Sequence, residues 1–267
     1  MRKRCILARV STASGPATGP SQGQAPVSAA ALVIGNELLT GKVHEGNLVK
    51  LAQLLRGRGI ELRRAVFVTD DVDIIASEVQ ALSKAHDWLF TSGGVGPTHD
   101  DVTIEAVAKA FGVPVQESDV LAAMIRSHYG DRCTEGHLRM ALMPSGAALE
   151  VTPEVRWPTL RMGNVWLLPG IPEIFQLKLQ VVAAHLGTLD AFLSRAVFTN
   201  MDEGDLKPLL DAVVRDFPDV SVGSYPKWHD PSYKTKLTFD TRDPARLAAA
   251  TDAFLALLPP GEPQKVE

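Results

Sequence analysis

Residues 91–103 join two segments with different hydrophobic patterns, and this junction constrains the fold more than any other part of the chain. They read Thr-Ser-Gly-Gly-Val-Gly-Pro-Thr-His-Asp-Asp-Val-Thr. The apolar run before them is typical of a buried strand, whereas the apolar residues after them recur at helical spacing up to Gly112, which is placed to end the helix. The segment therefore connects a strand to a helix start, where backbone N–H groups can bind an anion and Asp100 or Asp101 can cap the helix.

The alternation of strand and helix patterns repeats from residue 30 to residue 112. Residues 30–35, 61–68 and 88–91 predict strands, and a helical pattern follows each of them. This order predicts an α/β fold with three layers, in which helices cover both faces of a mostly parallel sheet. Ligands in such sheets bind at the carboxyl ends of the strands. We therefore expect three loops to share one edge: 35–41, Asp70–Asp71 and 93–101.

The rest of the chain predicts a second, different domain. Between residues 113 and 189 we expect helices at 117–129 and 131–141, a strand pair around Gly163-Asn164, and a helix after Pro172. After residue 190 the order β-α-β-β-α is typical of a small α+β module. The predicted organisation is a disordered extension (1–28), an α/β domain (29–189), an α+β domain (190–258) and a loose tail (259–267).

The charge, the cysteine content and the apolar runs of the sequence indicate which classes of partner and which surroundings to expect. The net charge is −4, and the four basic residues of the first nine have no acid before Glu37, so the remainder carries −8. Such an acidic body argues against nucleic acid as a partner, because that binding depends on neutralising phosphates. The two cysteines, Cys5 and Cys133, form no motif, which favours a reducing cytoplasm. We expect no membrane span, because no run reaches the ~18 apolar residues required.

Several segments together resemble the molybdopterin-binding family. They are residues 91–103 with their flanking strand and helix, the segment Gly35-Asn-Glu-Leu-Leu-Thr-Gly41 with Asn47, and Asp70 after a strand. Within that superfamily the chain is similar to the competence/damage-inducible protein A group and to the N-terminal domain of eukaryotic FAD synthases. That narrower similarity rests on Leu168-Pro-Gly-Ile-Pro-Glu173, on the second module, and on Gly223-Ser-Tyr-Pro226 followed by Tyr233-Lys-Thr-Lys-Leu237.

The resemblance implies a small-molecule ligand, either a pterin such as molybdopterin or a nucleotide. It implies metal-dependent hydrolysis of a nucleotide diphosphate such as ADP-ribose or FAD, with Mg²⁺ or Co²⁺, in a homo-oligomer. The C-terminal amidase domain that often completes members of the group is expected to be lacking.

Hydrolysis of a diphosphate requires a phosphate cradle, a cation and a base, and the sequence offers candidates for each. The candidate ligand-binding residues are Gly35, Asn47, Ser92, Gly93, Gly94, Gly96, Thr98 and Gly170. The candidate catalytic residues are Asp101 and Asp70, which match the family's two best-placed acids. Because carboxylate oxygens are natural ligands of hard cations, the candidate metal ligands are Asp100, Glu37 and Glu45.

Two alternatives remain open from the sequence. One of Asp100 and Asp101 could serve only as a helix cap, and so could Asp70. The chain could also be a non-catalytic binding protein for molybdopterin or a nucleotide. The second alternative rests on two departures from the family pattern, in which Asn36 replaces an aspartate and Glu45-Gly-Asn47 replaces Asp-Thr-Asn.

Overall fold

The computed structural model describes residues 27–187, 189–228 and 232–267, and the chain forms two compact units. The first unit ends at Leu189, and the second comprises Asp190–Glu267. Almost all of the expected N-terminal extension lies outside the described residues. Its predicted boundary at residue 28 is wrong by one position, because Ser28 already belongs to the first strand.

The first unit contains eight strands and seven α-helices within its described residues. In chain order they are β1 Ser28–Ile34, α1 Asn36–Leu39, α2 Asn47–Gly57, β2 Glu61–Val68, α3 Val72–Ala85, β3 Trp88–Ser92, α4 Thr103–Phe111, β4 Val115–Glu117, α5 Asp119–Tyr129, α6 Glu135–Leu138, β5 Leu142–Pro144, β6 Ala148–Glu150, β7 Thr159–Met162, β8 Val165–Leu168 and α7 Pro172–Leu186.

Six of these strands form one sheet in the order β2-β1-β3-β8-β7-β6. β1 pairs in parallel with β2 and β3, and β3 pairs in parallel with β8. The hairpin β7–β8 and the strand β6 add antiparallel pairs at one side. The prediction of an α/β fold with a mostly parallel sheet is confirmed.

The first strand shows why the unit has three layers. All seven residues of β1 are buried, and alternate side chains of a strand point to opposite faces of the sheet. Ala29 and Ala31 pack in one apolar cluster with α2 and α7, whereas Leu32 and Ile34 pack in another with α3 and α4. A strand that is apolar at every position therefore requires helices on both faces.

Local sequence signals set most helix boundaries in this unit. The Asp71 side chain accepts hydrogen bonds from the backbone N–H groups of Asp73 and Ile74 and caps α3. Gly112 ends α4 in the left-handed conformation, at φ 66°. The hairpin predicted at Gly163-Asn164 and the helix predicted after Pro172 are both present.

Three local predictions are wrong. Residues 36–39 of the expected loop 35–41 form the one-turn helix α1. The helix predicted from residue 117 begins at Asp119, because residues 115–117 pair with β5 instead. The helix predicted over 131–141 is broken into α6 and two flanking 3₁₀ turns.

Over its described residues, the second unit is a four-stranded antiparallel sheet with two helices. Its elements are β9 Leu193–Thr199, α8 Glu203–Asp216, β10 Ser221–Pro226, β11 Thr235–Thr241, α9 Pro244–Leu257 and β12 Lys265–Val266, and its strand order is β10-β11-β9-β12. The helices and the sheet share an apolar core that includes Val197, Leu206, Phe239 and Phe254.

The prediction of a loose tail over 259–267 is wrong. β12 pairs antiparallel with β9, and the backbone of Glu267 exchanges two hydrogen bonds of 2.9 Å with Ala196. A strand of two residues is too short to show a hydrophobic pattern, so the sequence contained no signal for it. Across the described residues no helix is both long and apolar enough to cross a membrane.

Candidate functional site

A cleft of about 820 Å³ lies where the loops after β1, β2, β3 and β8 meet. Nine of the thirteen candidate site residues line it: Glu37, Asp70, Gly93, Gly94, Gly96, Thr98, Asp100, Asp101 and Gly170. The expectation that three loops distant in sequence share one sheet edge therefore agrees with the structure. The other four candidates lie outside this lining.

A side chain at either Gly93 or Gly94 would collide with neighbouring atoms. Gly93 has φ 103°, and a Cβ there would lie 2.2 Å from the carbonyl oxygen of Ile34. Gly94 has φ 68°, and a Cβ there would lie 2.2 Å from Thr103 Oγ1. Both conformations favour glycine. The loop consequently passes directly over the end of β1, which brings its backbone to the edge of the sheet.

Thr103 holds this turn in place from the first residue of α4. Its hydroxyl donates to the carbonyl oxygen of Gly93, and its backbone N–H donates to that of Gly94, both at 2.9 Å. The side chain is fully buried. We did not assign Thr103 a role from the sequence, although its position at the end of the loop motif was a signal for one.

The turn leaves three consecutive backbone donors directed at no protein acceptor. Among the described residues, the N–H groups of Gly94, Val95 and Gly96 have no hydrogen-bond partner, whereas the N–H of Gly93 donates to Leu168 at 3.0 Å. All three residues line the cleft. Consecutive backbone N–H groups in a turn form a concavity that can bind an anion, so these three together are a candidate anion cradle.

Asp101 supports the loop instead of capping α4. Its Oδ2 accepts hydrogen bonds from the backbone N–H of Thr98, at 2.8 Å, and from the Thr98 hydroxyl. The residue at the cap position of α4 is Val102, and no side chain caps that helix. The prediction that Asp100 or Asp101 caps it is therefore wrong, because Thr98 holds the Asp101 carboxylate in the loop and Asp100 makes no capping hydrogen bond.

Asp100 also lies beside Thr98, and it is exposed. The nearby Thr98 side chain, and after it the Asp100 backbone N–H and the neighbouring His99, lower the pKa of the Asp100 carboxyl. Asp100 is therefore ionised at neutral pH. Asp100 thus adds a negative charge to the cleft that the three free N–H groups also line.

Asp70 connects two of the loops. Its Oδ2 accepts a hydrogen bond of 2.8 Å from the backbone N–H of Asn36, the first residue of α1. The helix that follows Asp70 is capped by Asp71, so the alternative in which Asp70 serves as its cap is wrong. The nearby Glu37 carboxylate folds back over Gly35, where a Cβ would lie 2.5 Å from Glu37 Oε1.

The four candidates outside the lining are Gly35, Glu45, Asn47 and Ser92. Asn47 is buried, and its amide donates to Ser92 Oγ at 3.2 Å and to the Gly170 carbonyl oxygen at 2.8 Å. It thereby ties α2 to the last residue of β3 and to the loop after β8. Glu45 Oε1 accepts the N–H of Leu48 at 2.6 Å, as a carboxylate does at a helix start. The predicted metal role of Glu45 therefore has no support from its position.

The carboxylates of the cleft do not form a ready-made metal site. Nowhere in the described ranges do three or more His, Cys, Asp or Glu side chains come close enough together to hold an ion. Glu37, Asp70, Asp100 and Asp101 nevertheless all border the same space.

Two basic side chains of the cleft, Lys178 and Arg139, were not among the residues predicted from the sequence. The apolar part of the cleft wall was not predicted either. Lys178 on α7 is buried, and its ammonium donates to the carbonyl oxygens of Trp157 and Pro158 at 2.5 and 2.6 Å. Burial lowers the pKa of Lys178 to about 8. Its spacing from the buried Phe175 and Val181 was the available signal, because it puts a lysine on the apolar face of the helix. Arg139 lies at the cleft in an exposed position.

Comparison with known proteins decides the family. The family model described as "Probable molybdopterin binding domain" matches residues 30–187, more than half of the chain. The chain belongs to this family. A second model, "FAD synthase, middle domain", matches residues 191–267.

Two relatives and one solved structure show how far the similarity extends. A "Probable FAD synthase" from Caenorhabditis elegans is 30% identical over 86% of this chain, and the chain spans only 50% of that protein. A protein from Archaeoglobus fulgidus is also 30% identical, over 84% of the chain and 95% of its own length. The structure of CinA from Thermoplasma acidophilum, titled as of unknown function, superposes with a TM-score of 0.55 at 30% identity, over 60% of this chain and 98% of that one.

These matches confirm the resemblance inferred from the motifs. The molybdopterin-binding domain is followed by a FAD synthase-type middle domain, and CinA has a related structure. Domains of the first type bind small pterin or nucleotide ligands, and every residue that lines the cleft lies within the range matched by this model.

Proposed function

We propose that this chain hydrolyses the phosphoric anhydride of a nucleotide diphosphate, with ADP-ribose or FAD as substrate, in the presence of a divalent cation. The observation that carries the proposal is the cradle of three free N–H groups, Gly94 to Gly96, beside the carboxylates of Asp70 and Asp101. A phosphoryl group bound by the cradle would lie next to groups able to accept a proton from water.

Each component of the site has a distinct part in this reaction. The N–H groups stabilise the negative charge that develops on the phosphoryl oxygens during attack. Asp101 is the proposed base, because only its Oδ2 is engaged by Thr98 and its other oxygen has no partner among the described residues. Asp70 is tied to Asn36 by one oxygen in the same way, and it is the second candidate. Water's oxygen forms the new bond to phosphorus, and the second phosphate leaves with the electrons of the cleaved P–O bond.

The donor set suits a cation that arrives with the substrate better than a resident one. Mg²⁺ commonly keeps several waters and binds through one or two carboxylates together with substrate phosphates, so it needs no cage of three protein ligands. Asp100, ionised and exposed, and Glu37 are the carboxylates we propose for this contact. The cation would neutralise the charge of the diphosphate among four carboxylates.

The size and lining of the cleft suit a nucleotide. Its volume of about 820 Å³ falls within the range of roughly 300–1,000 Å³ that is usual for small-molecule sites. Beyond the glycine loop the wall becomes aromatic and apolar, with Trp157, Leu160, Ile174 and Leu177 among its residues. Such a wall can hold a flat ring while the loop holds phosphates.

A second candidate function is non-catalytic binding of molybdopterin or a nucleotide. The absence of a three-ligand metal cluster from the described part of the chain favours it. Asn36 favours it as well, because an amide at this position carries no charge.

One assay separates the two functions. Purified protein is incubated with ADP-ribose, FAD or NAD, with Mg²⁺, Co²⁺ or a chelator, and AMP is quantified by chromatography. We expect AMP from ADP-ribose or FAD only when a divalent cation is present. No cation-dependent AMP from any of the three, from protein that binds ADP-ribose, would establish the binding function instead.

A further inference from the structure

The ammonium group of Lys178 is a buried charge without a counter-ion. The residue is 6% exposed, and its two acceptors are the neutral carbonyl oxygens of Trp157 and Pro158. No carboxylate pairs with it among the described residues. Burying a charge is costly unless an opposite charge compensates it. The structure therefore retains a positive charge in the cleft wall that its own side chains do not neutralise.

This ammonium also retains one free donor. A lysine has three N–H donors, and two of them are used for the carbonyl oxygens. The side chain is part of the cleft lining. An anion in the cleft could accept a hydrogen bond from the third donor, and its negative charge would balance that of the ammonium.

A second unpartnered donor lies one residue after Pro158, whose carbonyl oxygen accepts a hydrogen bond from Lys178. Thr159 follows Pro158 directly and is 2% exposed, yet its hydroxyl has no hydrogen-bond partner among the described residues. Thr159 lines the same cleft. Buried hydroxyl groups are nearly always satisfied, so an unsatisfied one beside a ligand space indicates a contact that the ligand makes.

We propose that Lys178 and Thr159 form a second anion-binding subsite of the cleft, which holds one phosphoryl group of a diphosphate while the N–H cradle of Gly94–Gly96 holds the other. The identity of the anion as a nucleotide diphosphate rests on the proposed function. The subsite itself rests only on the unpaired ammonium and the unpaired hydroxyl. It is built from the start of β7 and from α7, elements that contribute nothing to the glycine loop.

The structural alternative is that Lys178 only fastens residues 157–158 to α7. In that case Thr159→Val would be harmless, because the hydroxyl has no internal hydrogen bond to lose. Lys178→Met would affect folding but not ligand preference. The two explanations therefore differ in what the substitutions do to anion binding.

The test is calorimetric titration of the whole chain with inorganic pyrophosphate, ADP-ribose and adenosine in the presence of chelator, so that hydrolysis plays no part. We expect Lys178→Met to weaken pyrophosphate and ADP-ribose binding by about 10- to 100-fold, and Thr159→Val by about 3- to 10-fold, as lost charged and neutral hydrogen bonds do. Adenosine, which lacks phosphate, should bind equally to all variants. Lys84→Met, which removes an exposed lysine outside the cleft, is the matched control.

The subsite would be overturned if both variants bound pyrophosphate with affinities within twofold of wild type. It would also be overturned if the wild-type protein did not bind pyrophosphate. Thermal melting shows whether each variant is folded, and Thr159→Val decides the question alone if Lys178→Met does not fold. Pyrophosphate binding that depends on both residues, without AMP release from any nucleotide, would keep the subsite and refute the hydrolase. AMP release from a nucleotide, with pyrophosphate binding unchanged in both variants, would support the hydrolase and refute the subsite.

Discussion

At the scale of single residues, the cleft depends on a few side chains that hold backbone in place. Thr103 is the clearest example, because its hydroxyl and N–H fix the carbonyl groups of Gly93 and Gly94. The three free N–H groups begin at Gly94, the second of these glycines. The residue that positions the cradle is thus buried and lies outside the space it shapes.

Thr103→Val should therefore destabilise the chain by about 1–2 kcal/mol, because it leaves the buried Gly93 carbonyl oxygen without its donor. Urea unfolding measures the effect. Thr103→Ser keeps the hydroxyl and is the control, with a smaller loss expected. If valine and serine variants were equally stable, the hydroxyl would have no part in holding the turn.

Lys178 leads us to expect a pH dependence of anion binding. Burial lowers the pKa of Lys178 to about 8, so the ammonium is present at pH 7 and is lost as the pH rises through that value. Affinity for pyrophosphate should therefore be lower at pH 9 than at pH 7. The other ionisable side chains that line the cleft are Glu37, Asp70, Asp100, Asp101, His128, Tyr129 and Arg139.

Titration of pyrophosphate at both pH values, with wild type and Lys178→Met, isolates the contribution of Lys178. The loss of affinity between pH 7 and pH 9 should be smaller in the variant, since the remaining groups are common to both proteins. An equal loss in both would assign the pH dependence to those other groups.

At the scale of elements, a buried ionic cluster joins β6, β7 and α7 in the first unit. Glu150 is 8% exposed and accepts hydrogen bonds from Arg161, at 2.5 and 3.0 Å, while His185 Nε2 lies 2.8 Å from its other oxygen. Arg161 and His185 also lie against the ring of Trp166. The cluster holds the antiparallel side of the sheet to the helix that carries Lys178.

Glu150→Ala should lower the free energy of unfolding by about 2–3 kcal/mol, because it removes the acceptor of charged hydrogen bonds in a buried place. Glu117→Ala is the control, since its pair with Arg126 spans 3.5 Å between exposed side chains and should contribute less than about 1 kcal/mol. Both are measured by chemical denaturation. Equal effects would mean that the cluster adds no more stability than a surface ion pair.

The elements also show what the sequence could predict. The elements that were predicted each carry a local signal in the sequence. For strands and helices the signal is the hydrophobic pattern, and for two helix boundaries it is Gly112 and Pro172. The end of α4 was therefore predictable, whereas its start was not. There Asp100 and Asp101 offered equal capping chemistry, yet neither caps the helix, and Thr98 holds the Asp101 carboxylate in the loop.

At the scale of the whole molecule, the parallel sheet brings together residues that are far apart in the chain. Glycine loops and acids at the ends of strands could be predicted to share an edge, and most of them line the cleft. Lys178, Thr159 and Trp157 could not be assigned to it in the same way. Their place depends on how β7 and α7 pack, and no motif in the sequence records that packing.

The two-unit organisation agrees with the two family models, which meet between residues 187 and 191. The first unit carries every residue that lines the cleft. The match to the relative from Archaeoglobus fulgidus covers 84% of this chain, which is more than the first unit alone. The hydrolase proposal therefore concerns a site built entirely within the first of the two units.

The most direct measurement is the rate of AMP release from ADP-ribose, with saturating Mg²⁺, by wild type, Asp101→Asn and Asp211→Asn. Asp101→Asn keeps the shape and the acceptor for Thr98 but removes the proposed base, so kcat should fall by about 100-fold or more while the melting temperature stays near that of wild type. Asp211, in an exposed pair with Lys207 in the second unit, is the matched control and should give wild-type rates. A wild-type rate from Asp101→Asn would contradict the account, since the carboxylate would then serve only to hold the loop.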